Sequence, residues 1–268
     1  MAISVQFAPE TVDVEVLGLF SSEVRKELPV RQRQPVSSPM VETFDRMPTS
    51  PSFEIRIDEP TSFPRTWFLS EDGTELVQLQ HDRFSLNWRE LDRGVEYPGY
   101  ERLRDRFTQL LDRLAALLKE EVGTRPVINL CEVTYVNPVE PQTGARSDQH
   151  PDLAKIINRL RPRPKDAFLP EAEDAQLHAR WRIPAQETDR EGAPAAGRLY
   201  LAATPGLKPA TGAPIYLVNL TARVFPSGDG ADDALNALDV GHKWVVLGFK
   251  DLTTAPMHRR WGFKEKTT

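Results

Sequence analysis

The side chains able to ligate a metal or move protons are thinly spread along this chain. The five histidines, His81, His150, His178, His242 and His258, stand far apart. None pairs with another at the three- or four-residue spacing by which one helix face offers two imidazoles to a metal. The acidic run Asp229-Gly230-Ala231-Asp232-Asp233 lacks the alternation of calcium-loop ligands. It reads instead as a helix start, with carboxylates facing the positive end of the helix dipole.

Other reaction classes lack their motifs as well. No D/E-x-K triplet is present, so the carboxylate-and-lysine pairing of many two-metal nucleases is missing. G-x-x-x-x-G-K-S/T, G-x-G-x-x-G and G-x-S-x-G are also absent, which removes support for nucleotide hydrolysis, dinucleotide binding and esterase chemistry. Cys131 is the only cysteine, so neither an internal disulfide nor a thiolate-rich metal cage can form, and no histidine lies near it in sequence to activate it. His242 falls on the apolar stripe of its helix and reads as a core histidine. His258, with Arg259, Arg260 and Trp261, reads as the basic end of a helix beside an anchoring Trp. The sequence therefore names no catalytic residue, no metal ligand and no cofactor, and leans away from an enzyme.

Composition sets the frame for these residues. The 268 residues carry 34 basic and 39 acidic side chains, for a net charge of -5, and 40% are hydrophobic. A chain of this length and content can close a substantial core. No apolar run approaches the roughly 20 residues that cross a bilayer, and the start MAISVQFAPE does not resemble a secretory signal. A cytoplasmic protein with no membrane partner is expected.

The elements follow from periodicity. Val12, Val16, Leu19, Phe20, Val24 and Leu28 share a helical stripe within Glu10–Leu28. A second helix opens after Tyr97 with Pro98 in its first turn and carries Leu103, Phe107, Leu110, Leu111, Leu114, Leu117 and Leu118. A third spans Asp232 to Phe249, and a short one capped by Thr254 reaches Trp261; Asp152–Leu160 is a briefer candidate. Strands are read from period-two alternation at Phe53–Ile57, Arg83–Trp88 and Leu177–Ile183, with further candidates at Ala2–Phe7, Trp67–Leu69, Glu75–Gln80, Val127–Asn137, Arg198–Ala203 and Ile215–Val224. His81–Asp82 closes a hairpin.

One-sided alternation belongs to antiparallel sheets with one wet face. The predicted fold is α+β, a curved antiparallel sheet covered by long helices on one face. The element order repeats about halfway along, which predicts two pseudo-symmetric halves, 1–124 and 125–268, sharing one continuous sheet in a saddle-like duplication, the second half a strand shorter. A single helix-grip sheet is the alternative. On the polar side this pairing gathers Arg56, Gln78, Gln80, Arg83, Asn87, His178, Arg180, Arg182, Asn219, Thr221 and Arg223. Guanidinium and amide groups in such number suit an extended macromolecular partner. The acidic net charge disfavours nucleic acid and favours protein.

Several stretches also resemble a sporadically distributed prokaryotic family of about this length, to which no activity is assigned. They are Leu76-Val77-Gln78-Leu79-Gln80, Arg83-Phe84, Asn87-Trp88-Arg89, Tyr97-Pro98-Gly99-Tyr100 with Phe107, Val133-Thr134-Tyr135-Val136-Asn137, and His242 through Phe249 with Trp261 and Gly262. The resemblance implies a cytoplasmic bacterial or archaeal protein, encoded among accessory genes such as defence or toxin-linked loci. It transfers no catalytic residue.

The functional expectation is a non-enzymatic binding or adaptor protein whose polar sheet face, with Arg56, Arg83, Asn87, His178, Arg180, Arg182 and Arg223, meets a protein. Two alternatives stand beside it: a small-ligand receptor with a cavity between helix and sheet lined by Phe84, Trp88, His178 and Trp181, and a metal-dependent nuclease or transferase using scattered carboxylates.

Overall fold

The computed structural model describes residues 1–44, 65–91, 95–140, 150, 152–160, 166, 168–170, 172–185, 194–209 and 211–263. The chain runs β1 (Ala2–Phe7), α1 (Val14–Glu23) with a 3-10 turn at Val24–Lys26, β2 (Val30–Gln34), β3 (Arg65–Leu69), β4 (Glu75–Gln80), β5 (Arg83–Trp88) and α2 (Tyr100–Glu121). It continues through β6 (Ile128–Val139), α3 (Leu153–Ile156), β7 (Leu177–Pro184), β8 (Ala195–Leu207), β9 (Pro214–Val224), α4 (Ala231–Leu252) and α5 (Ala255–Arg260).

The fold is α+β. Among the described residues, one nine-stranded antiparallel sheet, not closed into a barrel, carries the helices on one side. Its strand order is β2-β3-β4-β5-β1-β6-β9-β8-β7. Reading outward from β1 gives the fifth, fourth, third and second strands; reading outward from β6 gives the ninth, eighth and seventh. Among the described residues, both series descend in chain order, four strands in one and three in the other.

Two compact units divide the chain. The first comprises Met1–Val133, Arg182–Arg198 and Arg223–Gly241, and the second Thr134–Trp181, Leu199–Ala222 and His242–Thr268. The first unit thus includes the ends of β7, β8 and β9 and the first half of α4.

In the first unit, register explains which side chains are buried. β1 pairs with β5 so that Ile3 faces Leu86 and Val5 faces Phe84, while β4 sets Val77 against Leu86 and Leu79 against Phe84. Each pair points to the helix side. There Phe84 meets Phe20 of α1 and Phe107 of α2 at ring-centroid distances of 5.8 and 5.5 Å, and Phe20 meets Phe68 of β3 at 5.7 Å. All four rings are essentially inaccessible, and burying each is worth about 2–3 kcal/mol. Asp13 caps α1 by accepting from Val16 N. Gly99 caps α2 at φ +90°, a backbone angle that favours glycine. Tyr100 and Arg104 of α2 both bind Asp239 of α4, the arginine through two bonds of 2.7 and 2.8 Å.

The second unit has the same logic. Leu199, Leu201 and Ala203 of β8 and Val218, Leu220 and Ala222 of β9 are buried, as are Val245 and Leu252 of α4. Gly248 lets the helix settle on this layer, for a Cβ there would lie 2.8 Å from Leu199 Cδ2. His242 shares a hydrogen bond of 3.2 Å with Tyr135 Oη. His258 bonds Thr253 and stacks on Phe263, beside Phe249 and Trp261.

Three differences from the sequence expectation are physical. The first helix is shorter, and Leu19 is exposed while Leu17 takes its buried place. β2 escapes periodicity because Val-Arg-Gln-Arg-Gln is wet on both sides, as an edge strand can be. The strand expected at Phe53–Ile57, with Arg56, lies outside the described residues.

Candidate functional site

The side of the first unit's sheet opposite α1 and α2 is built from the alternate residues of the same strands. Ser4 faces Ser85 and Gln6 faces Arg83 across β1 and β5; Gln78 faces Ser85 and Gln80 faces Arg83 across β4 and β5. Period-two alternation thus places Gln6, Gln80 and Arg83 together. Arg65 of β3 joins them, since its guanidinium and the Gln80 amide both bond Ser37.

A segment of the chain lies on this surface. The connection between β2 and β3, residues 35–64, is far longer than a hairpin of paired neighbours needs. Its described part, Pro35–Phe44, forms a strap. Gln80 Oε1 accepts from Ser37 N at 3.1 Å, and Gln80 Nε2 donates to Ser37 O at 3.0 Å. Gln6 treats Met40 in the same way, accepting from its N at 2.6 Å and donating to its O at 3.0 Å. Arg83 donates to Ser38 O at 2.8 Å. Two side-chain amides therefore read the peptide backbone at positions three residues apart, using both donor and acceptor each time.

Beyond Met40 the strap carries charge and an aromatic ring into a group of arginines. The Glu42 carboxylate is wholly buried and lies 3.0 Å from Arg198 of β8 and 3.2 Å from Arg223 of β9. Arg223 also binds Glu132 of β6 at 2.7 Å. Arg198 sits over the Phe44 ring at 4.5 Å and Arg182 of β7 at 5.7 Å, while Arg182 donates to Phe44 O. Such cation–π contacts are worth about 0.5–2 kcal/mol each, most where water is excluded. Gly197 makes the close spacing of Arg198 and Arg223 possible, because a Cβ there would fall 2.1 Å from Arg223 O.

The electrostatics are uneven. Burial holds the Arg83 guanidinium below the ordinary arginine value; Asp82 and Glu132 oppose that shift, while Arg223 and Arg65 add to it. Arg65 is lowered by burial. Burial also works against Arg223, but Glu132 and then Glu42 override it and hold its pKa above the ordinary value. The Nε groups of Arg65 and Arg83 are buried without a hydrogen-bond partner among the described residues.

The residues expected on this side are brought together unequally. Arg83, Arg182 and Arg223 all contact the strap or the Glu42 carboxylate. Asn87 is spent within the sheet, donating to Leu76 O. His178 and Arg180 alternate in phase with Arg182 along β7 and are exposed, with no hydrogen bond to another described residue. Arg56 lies outside the described residues. The expectation of an open wet surface is corrected around Arg83 and Arg223, which the chain's own strap covers.

Sequence reasoning missed Gln6, Arg65, Arg198, Glu132, Glu42 and Phe44. Gln6 and Arg198 were within its reach, since each alternates with buried Val5 and Phe7, or Leu199 and Leu201. Glu42 and Phe44 were not, because their roles come from contacts with strands far along the chain.

Phe84 is fully buried against Phe20 and Phe107, so it lines no ligand cavity. A cavity of about 250 Å³ does lie beside Trp88, with Thr74, Glu75, Asn87, Arg102 and Arg106 on its wall; His178 and Trp181 do not line it. Among the described residues no group of three His, Cys, Asp or Glu side chains could hold a metal, and no helix is long and apolar enough to cross a membrane. No protein family, curated protein or solved structure matches the chain.

Proposed function

We propose that the protein is a non-enzymatic binding or adaptor protein that offers its arginine- and glutamine-lined sheet face to an extended segment of a protein partner. The observation that carries this reading is the paired use of Gln6 and Gln80, each bonding the N–H and C=O of one residue. A neighbouring N–H and C=O of that kind is what a peptide backbone presents and a phosphodiester backbone does not. The net charge of -5 favours protein over nucleic acid for the same surface.

The test is capture from the native host. Wild-type protein should retain a partner that the Arg180→Glu/Arg182→Glu variant does not. The variant should melt within about 4 °C of the wild type, because Arg182 gives up only an exposed hydrogen bond and a long cation–π contact to Phe44, about 1 kcal/mol together. Identical captures by both baits would remove the face from function.

A further inference from the structure

We infer that the strap is an internal stand-in for the partner. The partner is then an extended protein segment with an apolar residue, an acidic residue two positions on and an aromatic residue two positions beyond that, and it binds by displacing Ser37–Phe44. This inference rests on the binding reading above and gives it a partner chemistry.

Each part of that chemistry is taken from the strap's own contacts. Met40 is the strap's only fully buried apolar residue, at 7% exposure, so its position asks for an apolar side chain. The Glu42 carboxylate is enclosed by Arg198 and Arg223, so the second asks for an acid. Phe44 lies beneath Arg198 and Arg182, so the third asks for an aromatic face. Gln80 and Gln6 hold Ser37 and Met40 through backbone atoms, which any peptide supplies, while the Ser37 hydroxyl also accepts from Arg65 at 2.6 Å.

The strap can leave without dismantling the sheet. Gln34 pairs with Arg65 across β2 and β3, so the ends of the connection stay closed whether or not the strap is seated. Ser38, Pro39, Val41 and Thr43 are exposed. What holds the strap is chiefly hydrogen bonds and ion pairs, and a partner of matching chemistry replaces them one for one. Exchanging one carboxylate for another between Arg198 and Arg223 spares the cost of leaving these cations unpaired. The strap thereby sets a threshold, since a ligand must outcompete a tethered segment of similar chemistry.

The experiment uses a fluorescein-labelled peptide with the sequence of residues 36–44, VSSPMVETF, titrated into the full chain and followed by anisotropy. The Glu42→Gln/Phe44→Ala variant, whose strap is weakened, should bind it saturably and about tenfold or more tighter than the wild type does. A peptide carrying the same two changes should not bind. Absence of binding to a folded double variant overturns the inference, as does displacement of the peptide by a single-stranded oligonucleotide of higher affinity.

Should the double variant lose its melting transition, hydrogen exchange on the wild type decides. The amides of Ser37 and Met40 must exchange about 100-fold faster than the ladder amides of β5. Equal protection makes the strap a fixed part of the fold and ends the proposal. A host protein captured through Arg182 that the peptide fails to displace would also overturn it, leaving the broader binding reading intact.

Discussion

Gln6 of β1 and Met40 of the strap hold each other through two hydrogen bonds, side-chain amide to backbone amide, across 34 residues of sequence. The glutamine is 7% exposed, and its orientation is fixed because the same oxygen accepts from Arg83 while the same nitrogen donates to Asn129. An edge-like recognition of backbone is thereby made from the face of a strand rather than from its rim.

Replacing Gln6 with Ala should therefore release the strap locally. Two backbone groups of Met40 lose their partners, at a cost of about 1–3 kcal/mol. Urea unfolding should report that loss, and exchange at the Met40 amide should rise much more than exchange in β4 or β5. Unchanged exchange at Met40 would show that other contacts hold the segment.

Glu42→Gln should be more damaging. The carboxylate has no exposed surface and Arg198 is only 11% exposed, so neutralising Glu42 leaves positive charge buried. A loss of about 2–4 kcal/mol is expected, and Arg198→Met in the same chain should restore part of it. A double-mutant cycle in urea measures the coupling, and simple additivity would deny it.

Gly197→Ala should prevent the proper pairing of β8 with β9. The new Cβ meets Arg223 O at 2.1 Å and Val224 Cα at 2.9 Å, both backbone atoms that cannot swing aside. Destabilisation of about 3 kcal/mol or more, or insoluble expression, is the expected outcome. Near wild-type melting would mean that the strands part at little cost.

Acid should weaken the link between the turn after α1 and α2. A side-chain hydrogen bond from Arg113 leads the effects that hold the Glu27 carboxyl below its ordinary value of 4.5, with Arg106 adding to it against burial. A depressed carboxyl adds stability above the ordinary value, and that stability is lost as pH falls through the folded-state value. Glu27→Gln should flatten the fall of stability as pH drops below the ordinary carboxyl value of 4.5. A curve of unaltered slope would assign acid sensitivity to other carboxylates.

How much of this was legible in the sequence depends on what each residue touches. Ile3, Val5, Phe84, Leu86, Val77 and Leu79 announce their strands because every second residue packs on the helices. α2 is legible for the same reason at helical spacing. β2 is silent, since Arg31, Gln32 and Arg33 are all exposed. The strap is silent in another way: Val36–Phe44 has no period, and Glu42 becomes a buried ion-pair partner only because Arg198 and Arg223 arrive from about 160 and 180 residues away. Arg83, Arg182 and Arg223 could be placed on one side by alternation alone, whereas the segment covering two of them could not.

The lone thiol has a practical corollary. Cys131 is 1% exposed, and burial pushes its pKa up to about 12, so at neutral pH it stays protonated and unreactive toward maleimide reagents. The native chain is in effect dye-silent. A cysteine introduced at exposed Val41 would accept a single fluorophore with no background, and strap position could be followed by energy transfer without deleting any native side chain on the sheet.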